Sequence, residues 1–368
     1  MKIKNKVFIT SSSSICCAGK SNEELFKNIC NGITGIKKDE HYSYDATPAI
    51  GKIESPKSFY ENLLVQCQNI LDNSSLIDFS ETLLILGSSV GGMSQTEEIF
   101  FKTKSYKTIT PQEHNIDAIA YKLKQHFTFY DDLSFSTACT SSANALGYAH
   151  EVLSKGIYKN ALVVGADSLC QTTVGGFLSL GVLSSEPCKP FDIDRDGMNV
   201  AEGIACLLLE TTPNENSVEL CGVGYSSDAF HMTQPHTNGS QMAMQNALSS
   251  ANINSSKVNY INAHGTGTIA NDTAEANSIA TIFPHKPYIS STKSITGHTL
   301  GAAGALEAIV ACKVIQLQRV PMSTNLTKAE NEELNFSFKT HECSVEYVLS
   351  NSFAFGGNNC SLIFGKVK

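Results

Sequence analysis

Short apolar runs punctuate the chain and alternate with longer stretches whose apolar positions recur every three or four residues. The short runs read as buried strands, over 6–10, 83–88, 161–165, 204–210, 218–225, 258–263 and 347–352. The periodic stretches read as helices, over 22–30, 58–71, 138–154, 242–250 and 299–318. Such alternation predicts an α/β protein with helix-covered sheets. A breaker cluster, Thr-Thr-Pro-Asn-Glu-Asn-Ser over 211–217, divides the chain unequally, and two domains are expected at 1–212 and 213–368. The halves echo each other. Thr137-Ala-Cys-Thr-Ser-Ser-Ala-Asn-Ala-Leu-Gly147 and Thr296-Gly-His-Thr-Leu-Gly-Ala-Ala-Gly-Ala-Leu306 each open a long helix with small residues. Dense packing alone would account for the small side chains, and so would an internal duplication.

Composition narrows the function classes. Of 368 residues, 42% are hydrophobic and 17% charged, which suits a globular chain with a large core. A net charge of −8 without any long Lys/Arg run argues against a nucleic-acid binder, and Arg195 and Arg319 are the only arginines. Twelve cysteines are scattered without a C-x-x-C pair, and no H-E-x-x-H or paired Cys/His spacing occurs. Neither a disulfide framework nor a metal site is therefore expected, and a reducing, cytoplasmic setting is. The first apolar run stops at Ser11–Ser14, too short for a signal sequence, and no stretch reads as long enough to span a membrane.

Cys139 follows an apparent strand end over 133–136 and begins a helical run. A thiol at a helix N-terminus feels the positive end of the macrodipole, which lowers its pKa, and free backbone N–H groups there can hold an oxyanion. The alternative is a cysteine that only packs. His264, in Ala-His-Gly-Thr-Gly-Thr over 263–268, directly follows a predicted strand, and His298 precedes the second small-residue helix. Lys293, five residues before His298, adds a cation able to bias nearby protonation. Phe353-Ala-Phe-Gly-Gly-Asn-Asn359 is good turn chemistry, with two phenylalanines that suit a mobile apolar gate. A rival reading is a serine hydrolase, since Gly87-Ser-Ser-Val-Gly91 matches G-x-S-x-G with Ser89 at its centre.

At these motifs the chain resembles the elongating, type II β-ketoacyl–acyl-carrier-protein synthases of the thiolase-like fold. The resemblance rests on Thr137-Ala-Cys-Thr-Ser-Ser142, Pro190-Phe-Asp-Ile-Asp-Arg-Asp-Gly197, Ser226-Ser-Asp-Ala-Phe-His-Met232, His264-Gly-Thr-Gly-Thr268, Lys293-Ser-Ile-Thr-Gly-His298 and Asn351-Ser-Phe-Ala-Phe-Gly-Gly357, in family order. It implies two duplicated α/β halves in a five-layered α-β-α-β-α core and a homodimer, with a heterodimer with a synthase-like subunit as the other arrangement. Cys139 would accept the acyl group as a thioester, with the N–H groups of Cys139 and Phe355 as oxyanion hole and Phe353 in the gate. His264 and His298 would assist malonyl decarboxylation and stabilise the enolate, with Lys293 and Glu307 in support. Thr266 and Thr268 would face the phosphopantetheine arm, which acyl- and malonyl-carrier proteins bring, so no cofactor of the chain's own is implied. Val90 and Phe177 fall at the acyl pocket.

A Cys-His-His set suits decarboxylating elongation, and retention of Cys139 favours a catalytic subunit over a non-catalytic, synthase-like partner. The chain departs from the family at Ala354, usually glycine, and Asn358, usually threonine, which implies a stiffer or differently hinged gate. It also reads as trimmed around 211–217 and 55–59. Lys102, Lys104 and Lys107 are the candidates for docking an acidic carrier. The segments over 141–146, 165–170 and 177–180 are similar to the aryl-polyene and specialised-metabolism branch, with fatty-acid elongation the other pathway.

Overall fold

A computed structural model describes residues 5–42, 47–228, 231–233 and 235–368. Its main sheet has ten strands: β1 (Phe8–Cys16), β2 (Thr82–Gly87), β3 (Asp131–Phe135), β4 (Asn160–Asp167), β5 (Gly203–Glu210), β6 (Val218–Ser227), β7 (Val258–Asn262), β8 (Tyr288–Ser290), β9 (Tyr347–Phe353) and β10 (Asn358–Lys366). Their spatial order is β8-β7-β9-β10-β6-β1-β5-β4-β2-β3. Within the first half the order 1-5-4-2-3 repeats in the second as 6-10-9-7-8. The pairing directions repeat as well. β1–β5 and β5–β4 are antiparallel and β4–β2 and β2–β3 parallel, matched by β6–β10, β10–β9, β9–β7 and β7–β8. Two residue pairs, Phe8↔Glu219 and Ile9↔Val218, join the halves edge to edge. This repetition is the duplication that the sequence echo left open.

The central strands β2 and β4 are buried on both faces and read accordingly as continuous apolar runs. β1 runs on through the serines predicted to end it, because their hydroxyls find partners inside the sheet's cover. Ser13 donates to Gln66 Oε1 (2.6 Å) and Ser14 to Asn22 Oδ1 (2.7 Å). The helix predicted over 58–71 forms as Phe59–Asp72, started by a reciprocal capping box between Ser58 and Glu61. It covers the outer face of β1 and β5, while Thr237–Ala251 covers β6 and β10.

Two inner helices, Ser141–Ser154 and Ala303–Leu317, touch each other and strands of both halves, forming the middle layer of the α-β-α-β-α core. Their small residues serve this contact. A Cβ on Gly304 would stand 2.8 Å from the backbone nitrogen and Cβ of Ala143, so glycine is required where the helices cross. The stretch Leu300–Leu317 is, against the sequence expectation, long and apolar enough to cross a membrane; 83% of it is buried, as befits a core helix covered on all sides. The structure also corrects the register of the internal echo. Ala138 and Leu300 share a left-handed backbone (φ 53° and 52°), and each leads through a 3-10 turn into its helix. Thr137 thus matches Thr299, not Thr296.

Candidate active site

The reactive side chains come from turns at the ends of strands. Cys139 lies in the 3-10 turn Ala138–Thr140, just before the inner helix proper. Alanine enters the left-handed region of Ala138 at a cost of roughly 1–2 kcal/mol. The elbow is held by two hydroxyls, because Ser89 and Ser141 both donate to the Ala138 carbonyl (2.9 and 2.7 Å). Ser89 is therefore a strut beneath the cysteine. Its hydroxyl donates to a backbone carbonyl, where a hydrolase serine would donate to a base.

Cys139 Sγ and one ring nitrogen each of His264 and His298 all lie within 4.8 Å of one another. The two imidazoles stand 5.3 Å apart, nearly perpendicular. They open on a narrow cavity also lined by Phe177, Thr266, Thr268, Phe353 and Phe355. Phe355 and Phe177 approach at 6.4 Å, closing it from two sides. The Thr266 and Thr268 hydroxyls are hydrogen-bonded to each other at 2.9 Å.

Electrostatics reverses one expectation. Burial pushes the Cys139 thiol up to about 11, outweighing the Lys293 cation and the N–H groups of Phe355 and Cys139 that favour thiolate. The thiol rests protonated, although those two N–H groups favour charge on its sulfur. His264 and His298 are both held well below the usual imidazole range, by burial first and then by Lys293. Both rings are neutral. His298 Nδ1 accepts the Leu300 N–H (3.2 Å), so its proton sits on Nε2, which is buried without a protein partner. This tautomer makes His298 a donor.

The same tautomer weighs against a metal. Cys139, His264 and His298 form the one such Cys/His/Asp/Glu cluster among the described residues. A histidine ligating through Nε2 carries its proton on Nδ1 and donates it onward, and here Nδ1 faces a donor. Behind the histidines, Lys293 and Glu307 form a buried ion pair, with burial raising the Glu307 carboxyl against the pull of Lys293.

Three buried acids escaped the sequence reading. Glu275 accepts the N–H groups of His264 and Gly265 (both 2.8 Å) and the Asn351 amide, and burial raises it to about 7. Asp272, one turn earlier on the helix Ile269–Ile282, accepts the Thr266 and Gly267 N–H groups. Their three-residue spacing puts both carboxylates on the face beneath the His-Gly-Thr-Gly-Thr loop. Two acids in a run of small residues just after that loop were the available signal. Asp167 is the third, at the end of β4.

The gate is latched at both ends. Gly356 N–H donates to Met232 O (2.8 Å), and Asp228 N–H to Gly357 O (2.9 Å). A Cβ on Gly357 would fall 1.6 Å from the Asp228 carbonyl, at a φ of +80°, so only glycine fits. Asn358 Oδ1 accepts from Thr140 Oγ1 (2.7 Å) and Asn144 Nδ2 (2.9 Å), tying the gate's base to the nucleophile turn. Residues 229 and 230 of the 226–232 motif lie outside the described residues. Val90 does not reach the cavity; it packs in an adjoining apolar cluster with Leu169, Val174 and Leu300. Lys102, Lys104 and Lys107 are exposed and do not line the cavity, Lys102 pairing with Glu98.

Comparison with known proteins gives two adjoining family matches: "Beta-ketoacyl synthase, N-terminal domain" over 57–215 and "Beta-ketoacyl synthase, C-terminal domain" over 218–327. A 3-oxoacyl-[acyl-carrier-protein] synthase 2 from Vibrio harveyi is 31% identical, with 99% of each chain covered. Its alignment runs over 413 residues against the 368 of this chain, so the relative carries extra segments. A ketosynthase in complex with its chain length factor from Xenorhabdus doucetiae superposes with a TM-score of 0.87 at 28% identity, covering 99% and 98% of the two chains. A type II PKS acyl-carrier protein in complex with its ketosynthase matches with a TM-score of 0.86 at 25% identity, covering 99% and 100%.

Proposed function

The chain belongs to the β-ketoacyl synthase family, and we propose that it forms its carbon–carbon bond at Cys139, His264 and His298. The family's reaction is a decarboxylative Claisen condensation of an acyl thioester with a malonyl group on acyl-carrier protein. The products are 3-oxoacyl carrier, CO2 and free carrier, and the enzyme is an acyltransferase. The observation that carries the site assignment is the convergence of one thiol and two neutral imidazoles within 4.8 Å.

In the first half-reaction Cys139 sulfur attacks the acyl thioester carbonyl. Its proton passes to the departing carrier thiolate, and the acyl group remains on Cys139. The tetrahedral oxyanion sits where the Phe355 and Cys139 N–H groups point. In the second, the malonyl carboxylate leaves as CO2 and its bonding pair becomes a thioester enolate. His298 donates Nε2–H to the enolate oxygen, with His264 beside it, and the enolate carbon attacks the acyl-cysteine. Collapse expels the Cys139 thiolate, which takes up a proton. Neutral donors suit this order, because a charged imidazolium would hold the malonyl carboxylate that must leave.

Incubating the acylated enzyme with malonyl carrier should yield a 3-oxoacyl carrier two carbons longer than the acyl donor, read by mass. A chain that takes up no acyl group at all would favour the non-catalytic-partner reading. The ketosynthase in complex with its chain length factor supports a heterodimer with a synthase-like subunit, the homodimer being the other arrangement, and it favours the specialised-metabolism branch. Twelve free cysteines support a reducing cytoplasm.

Two departures carry predictions. Ala354 is buried, and its N–H donates to Asn358 O (2.8 Å) at the foot of the gate. Ala354→Gly restores backbone freedom worth about 0.5–1 kcal/mol. The ratio of acylation rates for short and long acyl chains should shift roughly threefold; an unchanged ratio removes the residue from chain selection. Charge reversal at Lys104 and Lys107, with Lys102 contributing less because Glu98 already pairs it, should raise the carrier's KM several-fold at low salt and little at high salt. A KM that stays put places the docking surface elsewhere.

A further inference from the structure

Asp167 is fully buried, and the two halves of the molecule meet around it. Ser88 Oγ donates to Oδ1 (2.5 Å), Val90 N–H to Oδ1 (2.9 Å), and Ser89 N–H bridges both oxygens (3.0 and 2.9 Å). All three donors belong to the turn after β2. The fourth comes from the other half: Gly301 N–H donates to Oδ2 at 2.7 Å. Asp167 forms no ion pair among the described residues, and burial raises the carboxyl to about 6 despite the four donors. An acid kept in so costly a place, with no cation beside it, holds something that a neutral side chain cannot.

What it holds leads to the reacting atoms by two short paths. On one side Ser89, fixed through its N–H, donates its hydroxyl to the carbonyl of left-handed Ala138, the residue before the nucleophile. On the other, Gly301 follows Leu300, whose own left-handed backbone aims its N–H at His298 Nδ1 and fixes the donor tautomer. The closeness required is visible at Gly301, where a Cβ would stand 2.8 Å from Asp167 Oδ2 and 2.7 Å from Ser89 N. We propose that Asp167 is a positioning residue that sets the Cys139 elbow and the His298 turn in register across the interface between the halves. This rests on the assignment of Cys139 and His298 under the proposed function. The carrier-facing Thr266 loop lies outside its reach, held instead by Asp272.

The test is Asp167→Asn in the full chain, followed through both half-reactions. An asparagine keeps the shape but turns an NH2 toward hydrogen-bond donors, so the contacts to one of the two oxygens, two or three of the five, are lost. Acylation of Cys139, read by intact mass, and malonyl decarboxylation, read as CO2 release, should both slow at least tenfold in kcat, with the carrier's KM unchanged. Asp167→Glu, which keeps the acceptor, should recover part of that loss. The parent's pH–rate profile should also fall as pH drops through about 6, where Asp167 takes up a proton. The Cys139 and Cys170 thiols, which feel the charge of Asp167, are both raised and uncharged in that range. Glu275, near 7, and Glu307, raised by burial, are further carboxyls at the site that shape an acid limb. The limb near 6 should disappear in Asp167→Asn if Asp167 causes it.

A folded Asp167→Asn with kcat within twofold of the parent, or one that keeps the limb near 6, overturns the proposal. If Asp167→Asn fails to fold, the parent itself decides: a pH–rate profile that stays flat as pH drops through about 6 overturns the proposal equally. Loss of acylation in Cys139→Ala is a separate result, so failure of the underlying assignment is distinguishable from failure of this one.

Discussion

Cys139→Ala is expected to keep its unmodified mass after incubation with acyl carrier or acyl-CoA, whereas the parent gains one acyl group. Condensation should fall by roughly 10⁶-fold, the scale seen when a covalent nucleophile is removed. The reason is geometric. Cys139 Sγ lies within 4.8 Å of a ring nitrogen of both His264 and His298, and the Phe355 and Cys139 N–H groups favour negative charge on it. No other side chain in the cavity can inherit that oxyanion hole. The thiol's pKa of about 11 does not argue against it, because the attacking form is generated as the proton leaves during the step. Ser89→Ala should still acylate, more slowly, since the Ala138 strut is lost while Ser141 still holds the same carbonyl. An adduct that survives in Cys139→Ala and vanishes in Ser89→Ala would hand the chemistry back to the serine.

His298→Ala should divide the two half-reactions. Decarboxylation loses a neutral donor to the developing enolate in a water-poor pocket, which costs roughly 10²–10³-fold in kcat. Acylation of Cys139 uses the backbone N–H groups instead, and should stay within about tenfold of the parent. The measurement is single-turnover acylation by mass beside CO2 release from malonyl carrier. Equal losses in both would mean that His298 only supports the fold. Neither histidine should titrate in the rate profile near the ordinary imidazole value of about 6.5, because burial and Lys293 hold both well below it.

Much of the frame was legible in residues. Continuous apolar runs marked β2 and β4 because both faces of those strands are covered, and the apolar periodicity over 58–71 marked a helix that forms as Phe59–Asp72. Strand β1 was cut short because four serines look like a turn when read locally. They are strand because Gln66 and Asn22 wait for two of them across the cover. Strand β10 went unread because it opens with two asparagines that suit the turn before it. The place of Val90 was not legible for a similar reason, since which apolar residue faces a cavity depends on the packing around it. Asp167, Asp272 and Glu275 gave no more than isolated acids, as their donors are backbone groups that any residue supplies.

By itself the sequence determined the chemistry available: one cysteine at a strand-to-helix junction, two histidines after strand ends, and the ordered motifs that mark the family. Only the tertiary structure decided how that chemistry is set. It reversed the sign of the Cys139 shift, because desolvation is summed over neighbours from both halves and outweighs the local pull at a helix start. It placed the His298 proton on Nε2, because Leu300 turns its N–H inward. It showed the duplication to be real and moved its register by matching Ala138 with Leu300. Each of these depends on which groups stand within a few ångströms, and folding brings those groups from positions far apart in the chain.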